Sequence, residues 1–183
     1  MNHKKKSFCI ICIANYCRSP VAEILLKNRF GNGYEFFSAG INPMSEPSMD
    51  LRSMDFLKKN NIDYGLHTPK KINKKMLNYF DKFLAVDMYI LNHLNITYPK
   101  YRHKFNLLTM QFSEINIADP YRFDAEEYSN VMNDIKYVTK KINLEKILYL
   151  TIFVIQYHLI AFGNHLKKLA FRRICNTSSY KHA

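Results

Sequence analysis

The run SFCIIC, Ser7–Cys12, is apolar for almost its whole length and gives way at once to a polar loop, IANYCRS, and then to PVAEILLKNRF. Six residues are too few for a helix, and a continuous apolar run of that length suits a strand buried on both faces of a parallel sheet. Beyond the loop, Val21, Ile24, Leu25 and Leu26 recur at helical spacing, and Pro20 suits a first helical turn. Strand, polar loop, helix is the opening of a βα unit. It commits the chain to a fold in which strands run parallel and helices cover them.

The same alternation continues. Residues 34–38 (YEFFS) read as a second strand, stopped by Gly40 and the loop NPMSEP. Residues 50–60 form a helix with Leu51, Met54 and Leu57 on one face, 65–72 are irregular, and 74–80 form a brief helix. A third strand over 83–86 (FLAV) precedes a helix over 88–94, and 105–110 supply a fourth strand. A polar loop at 115–123 carries Asp119, Pro120 and Tyr121, and a long helix fills 125–142. The expectation is an α/β fold, an open parallel sheet covered on both faces. Ligands bind such sheets at the carboxyl ends of the strands, where IANYCRS lies.

Five residues separate Cys12 from Arg18 in that loop. Successive backbone N–H groups can turn inward there to form an anion-binding nest, and the next helix directs its positive end at the same spot. Arg18 can return across the loop and hold two phosphate oxygens in its planar fork. Cys12 then sits beneath the phosphorus, where the positive field favours the reactive thiolate. Transfer of the phosphoryl group needs a proton for the leaving oxygen. Asp119, on a loop past the last strand, is the candidate acid, and the base for the water that follows. Arg18 and the loop amides stabilise the charge, so no metal or cofactor is expected.

Composition supports a globular chain with acidic ligands. Hydrophobic residues make up 48% of the 183, and the formal net charge is +12. Lysine clusters stand at Lys4–Lys6, Lys70 with Lys71, Lys74 with Lys75, and Lys140 with Lys141. Such a balance favours phosphates or anionic lipid, while each cluster alone reads equally as solvated surface; nucleic acid is not the expected partner. The four cysteines, Cys9, Cys12, Cys17 and Cys175, do not make a zinc-site spacing, and no secretory signal precedes them. A reduced, cytoplasmic setting is expected. Cys9, in mid-strand, reads as a small buried apolar residue, Asp87 as a helix cap, and Cys175 as a bystander.

C-x5-R-S-P-x-A-E, then S-A-G after the second strand, then D-P-Y before the last long helix, occur in that order. Together they resemble the low-molecular-weight protein tyrosine phosphatases over about the first 145 residues. The resemblance implies a flavodoxin-like four-stranded sheet and hydrolysis of phosphotyrosine through a phosphocysteine intermediate. It casts Cys12 as nucleophile, Arg18 as phosphate clamp and Asp119 as acid and base. Ile13, Ala14, Asn15, Tyr16 and Cys17 would form the phosphate loop. Ser19 would hydrogen-bond the Cys12 sulfur, Asn15 would hold the loop's conformation, and Tyr121 would wall the slot. His67 resembles the histidine that supports that asparagine, although by itself it reads equally as a packing residue. Cys17 matches a cysteine that can pair reversibly with the nucleophile.

The pattern is not followed throughout. Ala14 stands where the family usually has glycine, and would strain the loop if that position required positive φ. Tyr16 replaces a smaller residue, and Arg122 replaces a second aromatic after Asp-Pro-Tyr. Met44 is then the one large apolar candidate in 42–46 for the opposite wall. A phosphoarginine phosphatase and a catalytically weak phosphate-binding module are the alternatives. Thioredoxin-coupled arsenate reduction is disfavoured, because there is no cysteine between Cys17 and Cys175. The chain divides by this reading into a phosphatase domain, 1–145, and a hydrophobic then basic extension, 146–183. The apolar run 147–162 is short for a bilayer span. It suits an extra helix packed on the domain or on a second copy. Alternatively, 147–173 suits peripheral membrane contact through its basic end, and a third reading is a poorly structured extension without function. Oligomeric state is left open.

Overall fold

A computed structural model describes residues 5–149. The elements follow in chain order: β1 Ser7–Cys12, α1 Arg18–Phe30, β2 Glu35–Gly40, α2 Leu51–Lys59, α3 Lys74–Tyr79, β3 Lys82–Ala85, α4 Met88–Thr97, β4 Phe105–Leu107 and α5 Ala125–Lys141. The strands form one parallel sheet in the order β2-β1-β3-β4, with helices on both faces, as the alternation of elements required. The chain divides into two compact units, Met1–Ile142 and Asn143–Ala183. In the second, residues 144–149 are helical, with Asn143 Oδ1 accepting the Lys146 N–H at 3.0 Å. Most of the apolar extension, the basic segment to 173 and Cys175 lie outside the described residues.

The core is a consequence of β1 being central. All six of its residues are buried, and Phe8, Ile10 and Ile11 interleave with Phe83 and Leu84 of β3 and Phe36 of β2. Leu25 and Leu26 of α1, Leu57 of α2 and Met132, Ile135 and Val138 of α5 are buried from the helical side, with α1 packed on α5 and α5 on α2. Cys9 is buried in mid-strand as expected, and burial pushes its thiol well above the usual range.

Three boundaries differ from the sequence reading by more than one residue. β2 runs on through Ala39 and Gly40, because its register pairs Cys12 with Gly40 and the sheet continues until β1 ends. β4 stops at Leu107, where turns closed by Met110 N–H to Leu107 O and Phe112 N–H to Thr109 O take over. α4 extends to Thr97, since nothing interrupts it before Pro99.

The helix N-termini are the feature that positions the site. α2, α3, α4 and α5 are each capped by an Asx side chain, from Asp50, Asn73, Asp87 and Asp124 respectively. α1 has no side-chain cap. Its first amides are therefore left without a side-chain acceptor, next to the loop at the end of β1, where the strand order reverses between β2 and β3.

Candidate active site

Residues 13–17 leave β1 and curl back to α1 through one residue in the left-handed region, Asn15, at φ 51°. Ala14 does not have positive φ, so the strain that glycine would relieve there does not arise. Asparagine tolerates the left-handed region better than most residues. Asn15 is wholly buried and its side chain is bonded in three directions. Oδ1 accepts the Lys70 N–H at 2.8 Å, which fixes the amide orientation and leaves Nδ2 to donate to Ser19 Oγ at 2.9 Å and Ser38 Oγ at 2.8 Å. The Asn15 carbonyl meets His67 Nε2 at 2.9 Å, joining two residues that the sequence reading linked only by resemblance.

Cys12 Sγ lies at the base of the loop, 3.1 Å from the Asn15 N–H and 3.0 Å from Ser19 Oγ. Because Ser19 Oγ accepts from Asn15, its own hydrogen can point to the sulfur at 3.0 Å or to the Ala39 carbonyl at 3.5 Å, and the Asn15 N–H points to the sulfur from the other side. A cleft of about 240 Å³ opens above it, lined by Cys12, Ile13, Ala14, Tyr16, Cys17 and Arg18 and closed from the other side by Asn42, Pro43, Met44, Asp119 and Tyr121. Asn15 and Ser19 stand behind the sulfur, outside that lining.

Arg18 is 2% exposed and holds two carboxylates. Nη1 donates to Asp87 Oδ2 at 2.7 Å and to the Ile117 carbonyl at 3.4 Å, while Nη2 is 3.1 Å from Asp119 Oδ2. Asp119 is half exposed at the mouth, so it reaches both Arg18 and solvent. Asp87 caps α4 as expected, accepting from Ile90 N–H at 2.8 Å, and it also orients the guanidinium. The second role was missed. The signal for it is positional: an acid just past β3, next to β1 in the sheet.

The walls also differ from expectation. Tyr16 does not merely crowd the loop's edge; its ring meets that of Tyr121 edge-on at 6.4 Å, so it supplies an aromatic that Arg122 does not. Met44 lines the cleft as anticipated, held there by its N–H to the Ala14 carbonyl at 2.9 Å. Gly40 explains the S-A-G motif. A Cβ on it would lie 2.5 Å from the Ile13 carbonyl oxygen and 2.9 Å from the Asn15 nitrogen, both backbone atoms that cannot swing aside. Cys17 has a free thiol that donates to Asp50 Oδ2 at 3.6 Å, and burial raises its pKa to about 12.

The low molecular weight phosphotyrosine protein phosphatase family matches residues 7–148. The chain belongs to that family. The low molecular weight protein-tyrosine-phosphatase Ptp of Acinetobacter johnsonii is 35% identical over 120 residues, which cover 65% of this chain and 82% of that protein. Among solved structures, the tyrosine phosphatase Wzb from Escherichia coli K30 in complex with sulphate superposes with a TM-score of 0.70 at 25% identity, over 75% of this chain and 96% of its own. The YwlE arginine phosphatase from Geobacillus stearothermophilus, at 23% identity, shares the fold with a TM-score of 0.68 over 84% of this chain and 96% of its own. Members of the low-molecular-weight phosphatase family act on phosphorylated substrates. Among the described residues, no cluster of His, Cys, Asp or Glu is placed to hold a metal ion, and no helix is long and apolar enough to cross a membrane.

Two predictions follow from the loop's supports. Gly40→Ala should displace the phosphate loop and lower kcat/KM by roughly 10²-fold, the scale of a 1 Å misplacement; phosphate inhibition measured alongside should weaken, and wild-type values would contradict the packing argument. Burial lowers the His67 pKa, against the opposing pull of the Asn15 carbonyl. A histidine held neutral in the fold but protonated when unfolded contributes stability that is present above about pH 6.5 and lost below it. Urea denaturation of His67→Gln should accordingly show a shallower loss of stability below that pH than the wild type.

Proposed function

We propose that this chain hydrolyses phosphotyrosine in proteins through a phosphocysteine intermediate formed on Cys12. The observation that carries the reading is the convergence on one cleft of a doubly hydrogen-bonded sulfur, a buried guanidinium and a half-exposed carboxylate.

In the first step Cys12 Sγ attacks phosphorus and the bond to the leaving phenolic oxygen breaks. The loop amides and Arg18 take up the charge on the equatorial oxygens, and Asp119 protonates the departing oxygen. In the second step the Asp119 carboxylate takes a proton from water, whose oxygen attacks phosphorus. The S–P bond breaks, inorganic phosphate leaves, and the thiolate is restored under the Ser19 hydroxyl and Asn15 N–H. Asp87 holds Arg18 in the orientation that both steps need.

Depth and shape support the aryl substrate. Cys12 is 2% exposed, whereas Tyr121, at 49%, stands at the mouth with Tyr16 and Met44 around it. A phosphotyrosine ring spans from the buried sulfur to this aromatic mouth and can lie against an exposed tyrosine face there, whereas a phosphoserine would draw peptide backbone down to the same mouth.

Hydrolysis of p-nitrophenyl phosphate and phenyl phosphate by the full chain tests the chemistry. Cys12→Ser should abolish turnover of both, and Asp119→Ala should lower that of phenyl phosphate, the poorer leaving group, by roughly 10²- to 10⁴-fold. A folded wild type with no more turnover than Cys12→Ser would leave a phosphate-binding module in its place. Matched phosphotyrosine and phosphoarginine peptides test the substrate: the account expects phosphotyrosine to be preferred, and the reverse preference would overturn the aryl assignment.

A further inference from the structure

Asp119 lies on a loop between β4 and α5 that belongs to neither element, yet an acid must sit within a hydrogen bond of the leaving oxygen to be useful. On the near side the loop is tied by Arg18, through the Ile117 carbonyl and Asp119 itself. Those ties use the group that must also bind phosphate. On the far side a second arginine takes hold. Arg52 Nη2 donates to the Tyr121 carbonyl at 3.1 Å and Nη1 to the Phe123 carbonyl at 3.1 Å, two and four residues past Asp119.

Arg52 is itself anchored. Nε and Nη2 grip Asp50 at 3.1 and 2.8 Å, and the guanidinium lies over the Tyr128 ring at 4.0 Å. Burial would raise the Asp50 pKa, but the Arg52 hydrogen bonds and charge outweigh it and hold the carboxyl below its usual range. Asp50 in turn touches the phosphate loop: its N–H donates to the Tyr16 carbonyl at 3.0 Å, and its Oδ2 accepts from Cys17.

We infer that Arg52 is a positioning residue for the general acid, a brace that fixes the Asp119 loop to the phosphate loop through Asp50. The inference rests on the phosphatase reading. Two bonds, to the Tyr121 and Phe123 carbonyls, set the height of the acid above the sulfur, and the fork geometry of arginine makes both at once while retaining the carboxylate. Lysine at this position keeps a charge for Asp50 but cannot span both carbonyls.

The test is kcat/KM for a series of aryl phosphates of rising leaving-group pKa, with inhibition by inorganic phosphate and the thermal midpoint measured on the same full-length proteins. Arg52→Met should reduce turnover of phenyl phosphate by about tenfold or more, part of the roughly 10²- to 10⁴-fold that a placed acid supplies. Turnover of p-nitrophenyl phosphate should fall much less, and phosphate inhibition should hold. Arg52→Lys should lie between, and it carries the test if the methionine variant does not fold. Equal losses on every leaving group, or an unchanged dependence, would overturn the inference while leaving the phosphatase reading intact. A wild type without turnover would remove both.

Discussion

Asn15 has no solvent contact and commits every polar atom it owns to the protein. Its N–H faces the Cys12 sulfur, its carbonyl faces His67, its Oδ1 takes the Lys70 N–H, and its amide donates to Ser19 and Ser38. A buried amide left with one bond unmade costs about 1–3 kcal/mol, so the left-handed turn at this residue is held from four sides rather than by local preference. The phosphate loop has its shape because strand β2, the 67–70 segment and helix α1 all meet at this side chain.

Charge is arranged around that frame with the same economy. Arg18 is buried, and a lone buried cation is expensive, so Asp87 accompanies it at 2.7 Å. Asp119 shares the same guanidinium from the solvent side. In the proposed mechanism, a phosphate ester entering the cleft meets a cation already oriented by one acid, with a second acid on the solvent side of the same guanidinium. The uncapped start of α1 adds backbone donors where the other helices have spent theirs on Asx side chains.

What could be read from the sequence was mostly contiguous. Ser7–Cys12, the loop and α1 adjoin in the chain, so the periodicity change and the Cys12 to Arg18 spacing exposed the central βα unit directly. Asp119 was singled out because Pro120 and Tyr121 follow it, and the structure puts it 3.1 Å from Arg18. Gly40 was visible only as part of a motif; its purpose depends on a carbonyl of another strand's loop lying where a Cβ would be. The second role of Asp87 and the reach of Arg52 to Tyr121 and Phe123 depend on residues about 70 positions apart, brought together by sheet order and helix packing. Tyr16 was noted as an intrusion. Its partnership with Tyr121 required the positions of both rings.

The central claim is that phosphorus passes through the Cys12 sulfur. Rapid acid quench of the wild type during turnover of p-nitrophenyl phosphate, followed by peptide mass analysis, addresses it directly. The account predicts one added phosphoryl group on the peptide containing Cys12, formed at the rate of nitrophenol release and accumulating further in Asp119→Asn, where the water lacks its base. Turnover with no phosphorylated Cys12 peptide at any time point, or with phosphate on another residue, would contradict it.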